Sequence, residues 1–299
     1  MKWKRTLRFG ERERFMLQLV APAVIGLSLF QILPILIGAN ASFRDWDLYD
    51  PKGTWVGLHH YKAVLSDPIF LGLVIPNTLL LMLLSVSISL SIGLGLALLL
   101  NRAFPGRALV QTVILLPLMV AEVIAATMFR WLFNDQFGII SVIVQALGFE
   151  TPAWLVQRWP AFSIILLTDV WRWVPWFTIL LLAGLQSLPK EPFEAAAIDG
   201  ASRWRVFRFL TIPMLRPVMV VCIVIRSIDV FRAFDIVWII SGGGPARQTE
   251  TFSVYAYIEA FNNLDFARGS AAAVIGTIMI VILGIVFYRM ITRVVEVSR

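Results

Sequence analysis

With one cysteine and two histidines in 299 residues, the chain has little to offer thiol or soft-metal chemistry. Cys222 stands alone in an apolar run, which excludes a disulfide framework and a cysteine metal cluster. His59 and His60 are adjacent, so their rings point apart rather than at one ion. No G-x-x-x-x-G-K-[ST] phosphate loop is present, because Gly242-Gly243-Gly244 is followed by Pro245 where a lysine and a hydroxyl are needed; ATP hydrolysis by this chain is excluded on that ground. H-E-x-x-H and G-x-S-x-G are missing too. Charge is the last shortage: 15% of residues are charged against 59% hydrophobic, with a mean hydropathy of +0.80. A soluble domain is nearer about 45–50% apolar. The chain is therefore read as an integral membrane protein.

Six segments are long enough for the roughly 20 helical residues that cross about 30 Å of hydrocarbon. They are 15–39, 72–100, 108–132, 161–186, 217–240 and 269–291. The expectation is an all-α polytopic membrane protein, with a basic tail over 1–14, a polar loop over 187–216 and a second tail over 292–299. Six crossings put both termini on one side. Six Lys and Arg precede Phe15 and five lie in the 187–216 loop, so the positive-inside rule makes the termini and that loop cytoplasmic. The net charge of +7 follows this membrane-flanking pattern and gives no reason to expect nucleic acid as a partner. The basic start, with Ala39-Asn40-Ala41 ending an apolar run, imitates a secretory signal. Its uncharged run over 15–43 is 29 residues, beyond the usual 7–15, which favours a retained first helix. On the outer side, Asp50-Pro51-Lys52-Gly53 reads as a turn. The aromatics of 55–65, with Trp154 and Trp159, read as interfacial anchors.

Away from the span ends, where Arg130 and Arg289 lie, seven ionisable side chains fall inside these spans: Glu122, Asp169, Arg172, Arg226, Asp229, Arg232 and Asp235. Each is costly against lipid, so they are expected to face a bundle interior and pair. At about 1.5 Å per residue, Glu122 lies roughly 21 Å, and Asp169 and Asp229 roughly 18 Å, from the cytoplasmic side. Three helices thus deliver charge to one level near the midplane, where transporters hold substrate. Trp171, Trp173 and Trp176 lie beside it. Carboxylates and guanidiniums for hydroxyls, and indoles for C–H faces, make sensible carbohydrate ligands. The alternative for Arg226, Asp229, Arg232 and Asp235 is a salt-bridge ladder at i, i+3 spacing.

The stretch 194–217, EAAAIDGASRWRVFRFLTIPMLRP, reads as a polar helix-turn-helix between two lipid-dwelling segments. Glu194 opens a first helix and Gly200 permits the turn. A second helix carries Trp204, Phe207 and Leu210 on one stripe until Pro213 and Pro217 punctuate it. One reading is an interfacial helix whose arginines touch anionic headgroups.

Glu194-Ala195-Ala196, Gly200 and Leu210-Thr211-Ile212-Pro213 together resemble the EAA loop of permease subunits in binding-protein-dependent ABC importers. Phe231-Arg232-Ala233-Phe234-Asp235, Gly242-Gly243-Gly244-Pro245, Thr249 and Tyr257-Ile258-Glu259-Ala260-Phe261 resemble the segment that follows it in carbohydrate permeases of the maltose, trehalose and glycerol-phosphate type. The resemblance runs from Phe15 onward.

It implies a coupling hairpin, seated in a groove of a separate ATPase subunit through Glu194, Ala195, Ala196, Asp199, Gly200 and Pro213. It also implies a sugar pocket at Asp169, Trp173, Trp176, Arg226, Asp229, Val230 and Ala233, to which depth and charge add Arg172 and Glu122. The implied partners are a second homologous permease, two ATPase subunits carrying ATP and Mg, an extracytoplasmic sugar-binding protein on the outer loops, and membrane lipid; this chain itself would bind no cofactor. A polyol or glycerol phosphate is an alternative cargo. Two other classes stay open: an ion-coupled carrier protonating Glu122 and Asp169, and a polytopic membrane enzyme using the same two acids.

Overall fold

The computed structural model describes residues 11–46 and 53–297. Most of the basic tail and of the Asp50-Pro51-Lys52-Gly53 turn lie outside the described residues. Apart from a two-residue antiparallel pair, β1 (Arg44–Asp45) with β2 (Thr54–Trp55), the described chain is helical. In order it runs α1 (11–41), α2 (His59–Leu65), α3 (Phe70–Leu100), α4 (Arg107–Met119), α5 (Glu122–Leu132), α6 (Ile139–Ala146), α7 (Arg158–Gln186), α8 (Glu191–Ile198), α9 (Arg203–Phe231), α10 (Asp235–Ser241), α11 (252–262) and α12 (Phe266–Val297). Five continuous helices, α1, α3, α7, α9 and α12, are long and apolar enough to cross a membrane, and α4 with α5 makes a bent sixth.

Four of the five continuous helices contain internal prolines, and in three of them one proline follows the same device. A widened turn of i→i+5 hydrogen bonding occupies Ser28–Ile32, Phe70–Val74 and Phe207–Thr211, just ahead of Pro34, Pro76 and Pro213. Leu33, Ile75 and Ile212 donate to carbonyls five residues back. The wider turn makes room for the proline ring, which would otherwise meet the carbonyl four residues earlier. The expected stop at Pro213 and Pro217 therefore does not occur. The second hairpin helix and the fifth membrane helix are one rod, α9, and both prolines lie inside it.

Two further expectations change. The third span is not a straight helix: α4 and α5 meet at 95° across an extended Val120-Ala121. The depth assigned to Glu122 from a uniform rise therefore does not hold. The fifth span ends at Phe231 rather than 240, so Asp235 is not on its ladder but opens α10, where the helix dipole favours an acid.

The core lies where α3 packs along α7, around Leu81, Ala97, Leu100, Ile164, Phe177 and Leu181. Gly93 permits this approach, because a Cβ there would sit 2.6 Å from that of Phe177. The end of the bundle away from the 187–216 loop is closed by α2, α11 and the start of α12 over Phe70, Phe252 and Tyr255. A polar network ties that cap down. Arg247 donates to Glu250 at 2.5 Å and to Glu259 at 2.9 Å, and Arg268 reaches Asp67 at 2.5 Å and the Tyr255 hydroxyl at 3.1 Å. Buried Asn77 on α3 donates to the carbonyls of Gln248 and Glu250, which holds the Gly-Gly-Gly-Pro loop against the bundle. Trp154 belongs to this packing rather than to an anchor belt: its indole donates to Ser141 at 3.1 Å and its ring meets Phe133, whereas Trp159 stays exposed.

Candidate functional site

A cavity of about 330 Å³ opens between α7 and α9, lined by Trp173, Trp176, Ile225, Arg226, Ile228, Asp229 and Arg232. Arg226 is its floor. Its side chain is 2% exposed and bridges two carboxylates, Nη1 to Asp229 Oδ2 and Nη2 to Asp169 Oδ1. Asp169 uses its other oxygen to accept from Ser85 Oγ of α3. With both oxygens occupied and 3% of its side chain exposed, Asp169 stands behind Arg226 and does not line the cavity. Helices α3, α7 and α9 are thereby pinned at one point.

The cavity face is different in kind. Asp229 is 31% exposed and also meets Arg232 at 3.4 Å, while Arg232 itself is 69% exposed. The Trp173 ring lies under the Arg226 guanidinium, 4.2 Å from Cζ, and meets Trp176 edge-on at 6.0 Å. The site therefore offers two indoles and a guanidinium–carboxylate–guanidinium row. That array donates and accepts hydrogen bonds while presenting apolar faces between them.

Not every residue expected in the pocket falls there. Val230 is buried in the main core, and Ala233 is half-buried, its carbonyl accepting from Thr251 at 3.3 Å. Arg172 and Glu122 meet each other at 3.6 Å beside the α4–α5 break, off the lining. The ladder reading holds for Arg226, Asp229 and Arg232 and fails at Asp235, because the helix ends between them. Sequence reasoning missed Ser85, Ile225 and Ile228. Ser85 carried a faint signal, as one of four serines at alternate positions in an otherwise apolar run. Ile225 and Ile228 carried none, being ordinary residues of a membrane helix.

The hairpin is the second element. Helix α8 begins one turn earlier than expected, at Glu191, with Pro192 in its first turn and Glu191 and Glu194 both placed where the dipole favours acid. Gly200 turns the chain at φ +68°, and Ser202 caps α9 by accepting from the Arg205 amide. Glu194, Ala195, Asp199 and Gly200 are exposed, and Ala196 is half-buried. Ile198, at 88% exposure, projects from the tip. Pro213 is exposed about three turns along α9 from its start at Arg203.

A bundle of bent membrane helices around a polar cavity, with an exposed hairpin on one end, defines a polytopic transport protein. More particularly, residues 69–296 match the family of binding-protein-dependent transport system inner membrane components, and the chain belongs to that family. It is 34% identical over 271 residues to the trehalose/maltose transport system permease protein MalF of Thermococcus litoralis, covering 91% of each chain. It is also 34% identical to the sulfoquinovosyl glycerol transport system permease protein SmoG of Agrobacterium fabrum, covering 92% of this chain and 89% of that one. Among solved structures it resembles a chain of a bacterial ABC transporter involved in import of the acidic polysaccharide alginate, with a TM-score of 0.83 at 22% identity over 95% of this chain and 96% of that one. At that identity the likeness carries the fold.

Proposed function

We propose that this chain is the permease subunit through which an ATP-driven importer moves a carbohydrate into the cell. The observation that carries the reading is the cavity between α7 and α9, where Trp173 and Trp176 stand beside Arg226, Asp229 and Arg232. Indoles for sugar faces and charged groups for hydroxyls are what a carbohydrate needs, and relatives named for trehalose/maltose and for diacetylchitobiose uptake support that class of cargo.

The chain lacks a nucleotide-binding loop, so the energy comes from separate ATPase subunits that hold ATP and Mg. The hairpin around Glu194, Asp199 and Gly200, tipped by Ile198, is the surface they grip. Because α9 runs unbroken from that hairpin to Phe231, a push on the tip is delivered along one rod to Arg226 and Asp229. A second permease completes the pathway, and a sugar-binding protein lands on the outer cap. The termini lie in the cytoplasm, on the side of the basic residues, and the chain has no catalytic activity of its own.

The test is to purify the complex from its native membrane and assay its ATPase against a panel of mono-, di- and oligosaccharides, polyols and glycerol phosphate, each presented with the binding protein. Stimulation by a sugar supports the reading and identifies the cargo. A chain that purifies alone and transports in liposomes without ATP overturns it.

A further inference from the structure

The break between α4 and α5 strands backbone groups in the middle of a membrane span. Val120 and Ala121 are extended, Ala121 offers no side-chain cap, and the two helix axes turn by 95°. Apart from the Pro117 carbonyl, which accepts from the Val120 amide, the last carbonyls of α4 and the first amides of α5 lack an intrahelical partner, and lipid supplies none. The neighbouring helix α7 supplies Arg172. Its Nε donates to the Val120 carbonyl at 3.2 Å, and its Nη1 lies 3.6 Å from the Glu122 carboxylate in the first turn of α5. One side chain therefore holds both lips of the break. Nη1 is buried and makes no hydrogen bond, since 3.6 Å is too long for one, so the contact has room to tighten.

Arg172 also touches the cavity indirectly. Its guanidinium lies 5.1 Å from the Trp173 ring, and Arg226 lies 4.2 Å from the same ring. Trp173 is thus in contact with the floor of the cavity on one account and with the pin of the break on the other. The geometry points to Arg172 as a positioning residue: it sets the angle between α4 and α5, and through Trp173 it ties that angle to whatever occupies the cavity. A ring shifted by a bound sugar displaces Arg172, and with it the Val120 carbonyl and Glu122. The coupling to a sugar rests on the function proposed above; the control of the angle does not.

The experiment uses the whole complex, with spin labels on α4 at Val113 and on α5 at Met128, both exposed. Their distance is read at rest and with ATP and sugar-loaded binding protein, for wild type, Arg172→Gln, Arg172→Lys and Glu122→Gln. Arg172→Gln is expected to shift or broaden the resting distance and to lower kcat for uptake about tenfold or more while KM moves less than about twofold. Arg172→Lys, which keeps one donor, is expected to recover part of both. Glu122→Gln is nearly isosteric and is expected to act in the same direction, more weakly, which keeps the test alive if Arg172→Gln fails to assemble. A resting distance and kcat unchanged in both Gln variants would overturn the inference, as would a rise in KM at constant kcat, which would make Arg172 a ligand. If no sugar stimulates the complex but Arg172→Gln still moves the resting distance, the cargo assignment fails and the positioning role stands.

Discussion

Replacing Asp169 with Asn removes one charge and almost no volume at the point where three membrane helices meet. Arg226 then keeps a single carboxylate, that of half-exposed Asp229, and Ser85 must turn its hydroxyl to accept from the new amide. A hydrogen bond to a charged group is worth about 1.5–3 kcal/mol, so Asp169→Asn is expected to destabilise the complex by roughly 2–3 kcal/mol. Arg226→Met goes further, because it leaves the Asp169 carboxylate buried with only a hydroxyl, and breaking a buried pair from one side costs about 3–5 kcal/mol. Replacing both partners by apolar residues removes the desolvation cost with the attraction, and such swaps are often near neutral. The double variant Asp169→Leu/Arg226→Met is therefore expected to be more stable than Arg226→Met alone, by about 1–3 kcal/mol, while transporting nothing. Thermal unfolding of the detergent-solubilised complex gives the stabilities, and sugar-stimulated ATPase gives the function. Strict additivity of the two single losses would refute the ion-pair account, and a double variant that still transports would refute the role of Arg226 in the cavity.

Trp173→Ala removes a cavity wall and is expected to raise the half-saturating sugar concentration about tenfold, the equivalent of about 1.4 kcal/mol of ring contact, with a smaller effect for Trp176→Ala; a titration of sugar-loaded binding protein against ATPase rate checks both. Gly200→Ala is expected to cost about 1–2 kcal/mol by forcing a Cβ into φ +68°, and Gly200→Pro, which cannot adopt that angle, is expected to lose the ATPase subunits on co-purification. The outer cap carries two opposite pH effects. At Asp67 burial pushes the carboxyl up, but the Tyr255 hydroxyl, the Ile69 amide and Arg268 outweigh it, so its pKa is lowered; its contribution to stability is complete at neutral pH and is lost as pH falls below the ordinary 3.8. At Glu250 burial outweighs Arg247 and the pKa is raised, so the folded state gains stability as pH falls through that raised value, the gain being complete by the ordinary 4.5. Thermal scans across pH should show Glu250→Gln abolishing the gain and Asp67→Asn abolishing the loss.

Helix length, membrane residence and the hairpin were legible in the chain because each depends on local pattern. Apolar runs of about 20 residues must span, and Gly200 must permit a turn, whatever surrounds them. The charged residues were legible as a set, since lipid does not tolerate them alone. Their roles were not. Asp169 and Asp229 have the same chemistry and the same estimated depth, yet one is sealed behind Arg226 by Ser85 and the other faces the cavity. Which of two carboxylates meets the substrate depends on which helix packs against each, and that is set by contacts far apart along the chain.

The breaks were decided in the same way. Pro213 and Pro217 read as stops, and the chain runs helical through both, with a widened turn before Pro213 that makes room for its ring. At Val120-Ala121, three residues after Pro117, the helix turns by 95°, and Arg172 from another helix donates to the Val120 carbonyl that the turn exposes. The sequence by itself determined an all-helical polytopic membrane protein with charges inside its spans and a polar hairpin between two of them, since those follow from hydropathy, length and turn chemistry, and its motifs carried the resemblance to a permease. Only the tertiary structure decided where the helices bend and which charges face the cavity, because a backbone group or a carboxylate inside a membrane goes wherever a partner on another helix can satisfy it.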